Sequence, residues 1–269
     1  MIDFMNRDEP VLMGIVNVTP DSFSDGGLYA STESAIRHGL RLRDEGAHIL
    51  DIGGESTRPG AAPVSIEEEI ARVVPVIEGL KEAGAIISVD TRHAAVMRAA
   101  INAGASMVND VSALEGDSDS LSVVAELDVY VCLMHMKGEP QTMQDDPHYD
   151  DVFQEVYDYL KSRIDVCQNA GIPASRIMID PGIGFGKALE HNLILLKRLG
   201  EFKTLGVPML LGASRKRFIQ GLCPNAVTDK RLPGSLAVCL SAYNQGINIF
   251  RVHDVAETAQ ALNVFRHTS

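Results

Sequence analysis

Short apolar runs recur along this chain at nearly even intervals, and a longer amphipathic stretch follows most of them. The runs are Val11–Val18, His48–Ile52, Ile86–Val89, Met107–Val111, Tyr130–Met134, Ile177–Ile179, Met209–Leu211 and Ile249–Val252. Each is rich in Val, Ile, Leu or Met and does not alternate with polar residues, which is how a strand covered on both faces reads. Between them, Thr32–Glu45, Ile66–Ala83, Asp151–Ala170 and Val255–His267 space their apolar residues as helices do. Eight strand–helix units fit into 269 residues without a Pro/Ser-rich hinge. The pattern predicts one α/β domain over residues 1–269, a closed (β/α)8 TIM barrel, with a doubly wound open sheet as the alternative.

Nearly every run finishes in a polar group: Asn17, Asp51, Asp90, Asn109 with Asp110, His135, Asp180, Ser214 with Lys216, and Arg251 with His253. One polar strand end is an ordinary cap or turn former. Eight in succession are not, because the C-terminal strand ends of a barrel converge on one mouth, where active sites sit.

The segments after the strands carry the candidate chemistry. Asn17 to Gly27 contains Pro20, Phe23 and a Gly pair, and Asp51 to Gly60 contains Gly53, Gly54, Ser56, Thr57, Arg58 and Pro59. Both are loops whose hydroxyls, carboxylates and glycines suit flaps, and the second offers donors for an oxyanion. Asp180 to Lys187 is Gly-rich but not a nucleotide-triphosphate loop: Pro181 and Ala188 break the Walker pattern, and the glycines run GxGxG. Ser214, Arg215, Lys216 and Arg217 precede a helix, where backbone N–H groups and three basic side chains favour an anion. Arg251 and His253 share one side of a strand end by period-two spacing.

Charge and cysteine content narrow the picture. With 24 basic and 36 acidic residues the formal charge is −12, which argues against a general nucleic-acid binder but not against a local anion site. Asp3, Arg7, Asp8 and Glu9 leave no signal-peptide core at the N-terminus, and no apolar stretch reaches the ~18 residues of a membrane span. Cys132, Cys167, Cys223 and Cys239 form no CxxC pair, so reduced thiols in a cytoplasmic protein are expected, and zinc is not. His38, His48, His93, His148, His191 and His267 stand singly without metal-ligand spacing.

Asp90, Asn109 and Asp180, from different strand ends, suit the donor-bearing edge of a flat heterocycle, because a carboxylate only accepts. Lys216 offers a cation to ring oxygen or nitrogen. Thr57, Arg58, Arg251 and His253 suit a diphosphate.

These strings, in this order from GIVNVTPDSFSDGG through DIGGESTRPG, SVDT, NDV, MHM, DPGIGFGK and SRK to RVHDV, resemble the bacterial dihydropteroate synthases, pterin-binding enzymes of folate biosynthesis. The resemblance covers essentially the whole chain. It implies a usually dimeric (β/α)8 barrel that joins dihydropterin diphosphate to 4-aminobenzoate, releases diphosphate and is a target of sulfonamides. It implies that Asp90, Asn109, Asp180 and Lys216 hold the pterin with Arg251 against it, and that Lys216, Asp90 and Asp180 serve catalysis. Asn17, Thr57, Arg58, Arg251 and His253 would surround the diphosphate, with Asn17 the protein ligand for Mg2+. Phe23, Thr57, Pro59, Phe185 and Ser214 would shape the aminobenzoate pocket. Arg217 stands where the family often has Ser, so the group that binds the aminobenzoate carboxylate stays open. The expected chemistry is a cation-like substitution at the pterin methylene carbon, with no Ser–His–Asp or Cys–His nucleophile. A methyl-transferring pterin barrel, which would not need the anion set, and a non-catalytic pterin-binding paralogue, which should lose Asn17, Lys216 or the Arg251–His253 pair, are the alternatives.

Overall fold

The computed structural model describes Phe4 and residues 9–18, 27–55, 64–138 and 142–269. Its strands are β1 (Val11–Asn17), β2 (Ile49–Gly53), β3 (Ile86–Asp90), β4 (Met107–Asp110), β5 (Tyr130–Met134), β6 (Ile177–Asp180), β7 (Leu210–Leu211) and β8 (Ile249–Val252). Their order is β6-β5-β4-β3-β2-β1-β8-β7, and every pairing is parallel. An isolated parallel bridge, Ile179 to Met209, joins the two ends of that row and makes it a barrel. The (β/α)8 expectation is borne out, and the open sheet is not.

The helices are α1 (Gly27–Asp44), α2 (Ile66–Leu80), α3 (Ala94–Ala103), α4 (Ser120–Leu127), α5 (Val152–Asn169), α6 (Leu189–Lys197), α7 (Arg217–Leu222), α8 (Leu232–Asn244) and α9 (Val255–Thr268). Local chemistry sets several of their starts. The Ser65 hydroxyl accepts from Glu68 N at 3.2 Å, and Glu67, Glu68 and Glu69 complement the positive end of α2. The Asp151 carboxylate accepts from Phe153 N and Gln154 N to begin α5. The seventh crossover differs from the simple repeat, since the short α7 precedes the covering helix α8.

The apolar strand runs conceal an alternation that the structure separates. Leu12, Val16, Leu50, Ile52, Val108, Val131, Leu133, Ile177, Ile179, Leu211, Phe250 and Val252 face the helices in one large core. Val11, Met13, Ile49, Met107, Cys132, Met178, Leu210 and Ile249 form a second cluster, and it fills the barrel. The two sets alternate along each strand, as strand geometry demands. Phe4 packs edge-on against Tyr130, with ring centroids 5.2 Å apart, beside the inner cluster. Following the inner positions toward the strand C-termini, the residues change from apolar to polar: Ile49 is followed by Asp51, Ile86 by Ser88 and Asp90, Met107 by Asn109, Met178 by Asp180, and Ile249 by Arg251. The barrel thus has an apolar floor under a polar mouth.

Candidate active site at the barrel mouth

Asp51 is the hub of the mouth. Its carboxylate has no exposed surface and accepts from Ser88 Oγ at 2.6 Å, Asn109 Nδ2 at 3.0 Å and Arg251 Nε at 2.6 Å. Arg251 also donates through Nη2 to Asp90 Oδ2 at 2.6 Å. One guanidinium therefore bridges two carboxylates from adjacent strands, one N–H to each, which its planar fork of donors allows and the point charge of Lys does not. Burial pushes the Asp90 carboxyl up to about 7, against the downward pull of Arg251. Burial alone would lower the Arg251 pKa, but Asp51 and Asp90 outweigh it and leave that group firmly cationic.

Asp180 forms the second pole. Burial pushes its pKa up, while Lys216, the Gly182 N–H (2.7 Å from Oδ1) and Arg251 support the anion. Gly212 leaves room for it, because a Cβ there would stand 3.2 Å from Asp180 Oδ2. Burial draws Lys216 down to about 8, with Asp180 opposing. The Lys216 ammonium donates to Ile183 O at 2.5 Å and lies 4.0 Å from the Phe185 ring centroid.

Beyond these, Ser214 Oγ and His253 Nδ1 are 3.0 Å apart. Asn17 ends β1 on the same alternation as the inward Val11 and Met13, paired in register with Gly53. Of the three consecutive basic residues only Lys216 enters the buried cluster. Arg215, in a left-handed conformation (φ 57°), turns to a bidentate pair with Asp254, and Arg217 is exposed at the start of the six-residue α7. Lys216 and Arg217 stand at the helix start as expected, whereas the charge of Arg215 is taken by Asp254. Phe23, Thr57, Arg58 and Pro59 lie outside the described residues.

Sequence reasoning placed Asp51 at the mouth without seeing its role, and it overlooked Ser88, which is on the same inward alternation two residues before Asp90. It also gave no role to His135 or Lys187, whose contacts are described below. Cys223 is exposed, whereas Cys132, Cys167 and Cys239 are buried; all four are free thiols. Glu55, Glu69 and His93 form a carboxylate–imidazole group whose atoms lie within 4.8 Å of one another. His93 Nδ1 stands 2.8 Å from Glu69 and Arg92 Nε 3.6 Å from Glu55, so nitrogen groups already face these acids. No described helix is long and apolar enough to cross a membrane.

The geometry has close relatives. The family model described as "Pterin binding enzyme" matches residues 13–253. The chain is 48% identical over 265 residues to the dihydropteroate synthase of Escherichia coli strain K12, covering 98% of this chain and 93% of that one. Among solved structures, Xanthomonas albilineans dihydropteroate synthase with 4-aminobenzoic acid is 52% identical with a TM-score of 0.91, covering 97% of this chain and 93% of that one. The Yersinia pestis dihydropteroate synthase in a sulfonamide drug complex is 44% identical with a TM-score of 0.91, covering 99% and 96%. The chain belongs to the pterin-binding enzyme family, and within it to the dihydropteroate synthases. The transferase activity expected from its motifs is thereby borne out, and the non-catalytic and methyl-transferring alternatives fall away.

Proposed function

We propose that this chain, as one domain, bonds the methylene carbon of a 7,8-dihydropterin diphosphate to the amino nitrogen of 4-aminobenzoate, giving 7,8-dihydropteroate, diphosphate and a proton. The observation that carries this reading is the Arg251 guanidinium joining Asp51 and Asp90 at the top of the barrel, with the buried Asp180 carboxylate at another inward strand position.

In this reading Asp180 accepts from the pterin's amino and ring N–H donors, and Asn109 and Asp90 meet other polar atoms of the ring edge. Lys216 donates to ring oxygen or nitrogen, and Arg251 lies against the ring. Anionic Asp90 and Asp180 stabilise positive charge that spreads into the pterin as the carbon–oxygen bond to diphosphate breaks. The weakly nucleophilic arylamine then forms the carbon–nitrogen bond and releases its proton. Arg251 and His253, with Thr57 and Arg58, take the diphosphate. Phe23, Thr57, Pro59, Phe185, Ser214 and Arg217 form the aminobenzoate and sulfonamide pocket.

The donor set fits a divalent ion that arrives with its anion. Asn17 supplies one neutral oxygen, while the nearby Asp51 and Asp90 are held by Arg251. We assign Mg2+ to Asn17, which would hold the ion, and the ion would supply positive charge for the leaving diphosphate. Mg2+ is expected to bind weakly to the protein alone and far better with diphosphate, by titration calorimetry. Tight stoichiometric uptake without diphosphate contradicts the assignment.

The Lys216 pKa gives a second expected result. Pterin affinity falls as pH rises through about 8, because the ammonium that donates to the ring is lost there. Calorimetry between neutral pH and well above 8 checks this, and a flat profile removes Lys216 from pterin binding.

A cytoplasmic homodimer completes the proposal. Val264 is 57% exposed on α9, beside Leu236, Leu240 and Phe265, and a second copy would cover this apolar strip. The deciding assay is diphosphate release requiring both dihydropterin diphosphate and 4-aminobenzoate. Release with either one alone overturns the reading.

A further inference from the structure

We propose that Lys187 is a positioning residue for Lys216, acting by pinning the Gly-rich loop after β6 to the end of β5; this rests on the reading of Lys216 as a pterin ligand.

Lys187 is only 2% exposed, yet its ammonium has three acceptors: His135 Nδ1 at 2.9 Å, Phe185 O at 3.0 Å and His135 O at 3.3 Å. Burial first, then Lys187, drives His135 down to about 2, so its ring is neutral. A neutral ring that accepts at Nδ1 carries its proton on Nε2, and the Lys187 contact selects that tautomer. Burial lowers the Lys187 pKa, with Asp180 opposing and Lys216 and Lys137 assisting.

The loop between Asp180 and Lys187 lies directly on the β5 end. A Cβ at Gly182 (φ 68°) would stand 1.9 Å from His135 O, and one at Gly186 (φ 61°) 2.1 Å from Lys137 O. Tyr149 donates to Gly186 O at 2.8 Å, and Gln144 donates to Gly184 O at 2.6 Å. Asn192 accepts from Gly184 N at 2.6 Å and donates to Lys187 O at 3.1 Å. Among these fastenings Lys187 reaches three acceptors, two on the β5 end and one within the loop. What the loop presents on its other side is the Ile183 carbonyl and the Phe185 ring, the two groups that hold the Lys216 ammonium. The hydrogen bonds of Lys187 go to His135 and Phe185, not to Asp180 or Lys216, so this loop is its hydrogen-bonded route to the site, beside a through-space charge effect on both groups.

A double-mutant cycle tests the inference. Lys187→Met keeps most of the buried stem and removes the three donors. By calorimetry with 7,8-dihydropterin diphosphate, Lys187→Met is expected to weaken binding at least tenfold in the wild-type background. In a Lys216→Ala background it costs less than threefold, because the group it positions is gone. Steady-state kinetics should show the loss mainly in KM for the pterin substrate, not in kcat. Lys187→Arg, which restores donors, should recover part of it. Where Lys187→Met fails to melt cooperatively, Tyr149→Phe replaces it: it removes one loop hydrogen bond without a cavity, and a few-fold loss should again vanish in Lys216→Ala. Unchanged pterin affinity, or equal losses in both backgrounds, overturns the proposal. Wild-type enzyme assayed alongside separates that outcome from failure of the synthase reading itself.

Discussion

Replacing Arg251 with methionine is expected to lower the melting temperature by on the order of ten degrees at pH 8, and by much less at pH 5. Removing one member of a buried ion pair costs about 3–5 kcal/mol, because the partner charge is left uncompensated. In a chain of this size each kcal/mol moves the melting point by about 2–4 °C. The pH dependence follows from Asp90, whose folded pKa is raised from 3.8 to about 7. A raised carboxyl pKa means that the folded protein holds a proton which the unfolded chain has released. Its contribution is therefore largest at low pH and is lost as pH rises through about 7. Arg251 limits that loss, and without it the upward shift grows and the loss extends to higher pH. At pH 5 Asp90 is neutral with or without the guanidinium, so the deficit shrinks. Differential scanning calorimetry at the two pH values decides the matter; equal deficits would assign the cost to Asp51 and packing instead of to Asp90.

Asp180→Asn and Lys216→Ala should each weaken dihydropterin diphosphate binding roughly tenfold to a hundredfold, the worth of a charge-assisted hydrogen bond of about 1.5–3 kcal/mol. Neither is expected to unfold the barrel. Asparagine retains an oxygen for the Gly182 N–H, and Lys216 makes its hydrogen bond at the mouth, not in the floor. The double variant should lose less than the product of the two, since each residue supports the charge of the other. Calorimetry with circular dichroism as the folding control measures this, and full pterin affinity in both single variants would refute the pterin assignment.

The barrel was legible because its strands are short, buried on both faces and regularly spaced. The inside–outside division of those strands was not, since Leu50 and Ile49 are equally apolar while serving different cores. Polar strand ends announced the mouth but not its wiring. Arg251 and Asp51 are 200 positions apart, and no local pattern reports such a contact. Lys187 drew no notice because its motif was tested against a phosphate loop and rejected, although a lysine among glycines can serve the loop itself. Within the cluster of basic residues after β7, composition does not separate Arg215 from its neighbours. The ion pair with Asp254, 39 positions away, is what shows where the Arg215 charge belongs. The proposed roles of Phe23, Thr57, Arg58 and Pro59 rest on the sequence, because those residues lie outside the described ones.

The inner cluster beneath the mouth contains Met13, Met107 and Met178 with Cys132, and none of these side chains is branched. Thioether chains re-seat at little cost, whereas the hydrogen-bonded rim above them admits only one arrangement. The barrel mouth is consequently anisotropic in its compliance. A ligand that grows downward, toward the sulfur-rich layer, meets material that yields, and one that grows sideways must break an ion pair. Analogue series built on a flat heterocycle should therefore tolerate bulk at the ring edge that points down the barrel axis, and lose affinity sharply with the same atoms added toward Asp51 or Asp180.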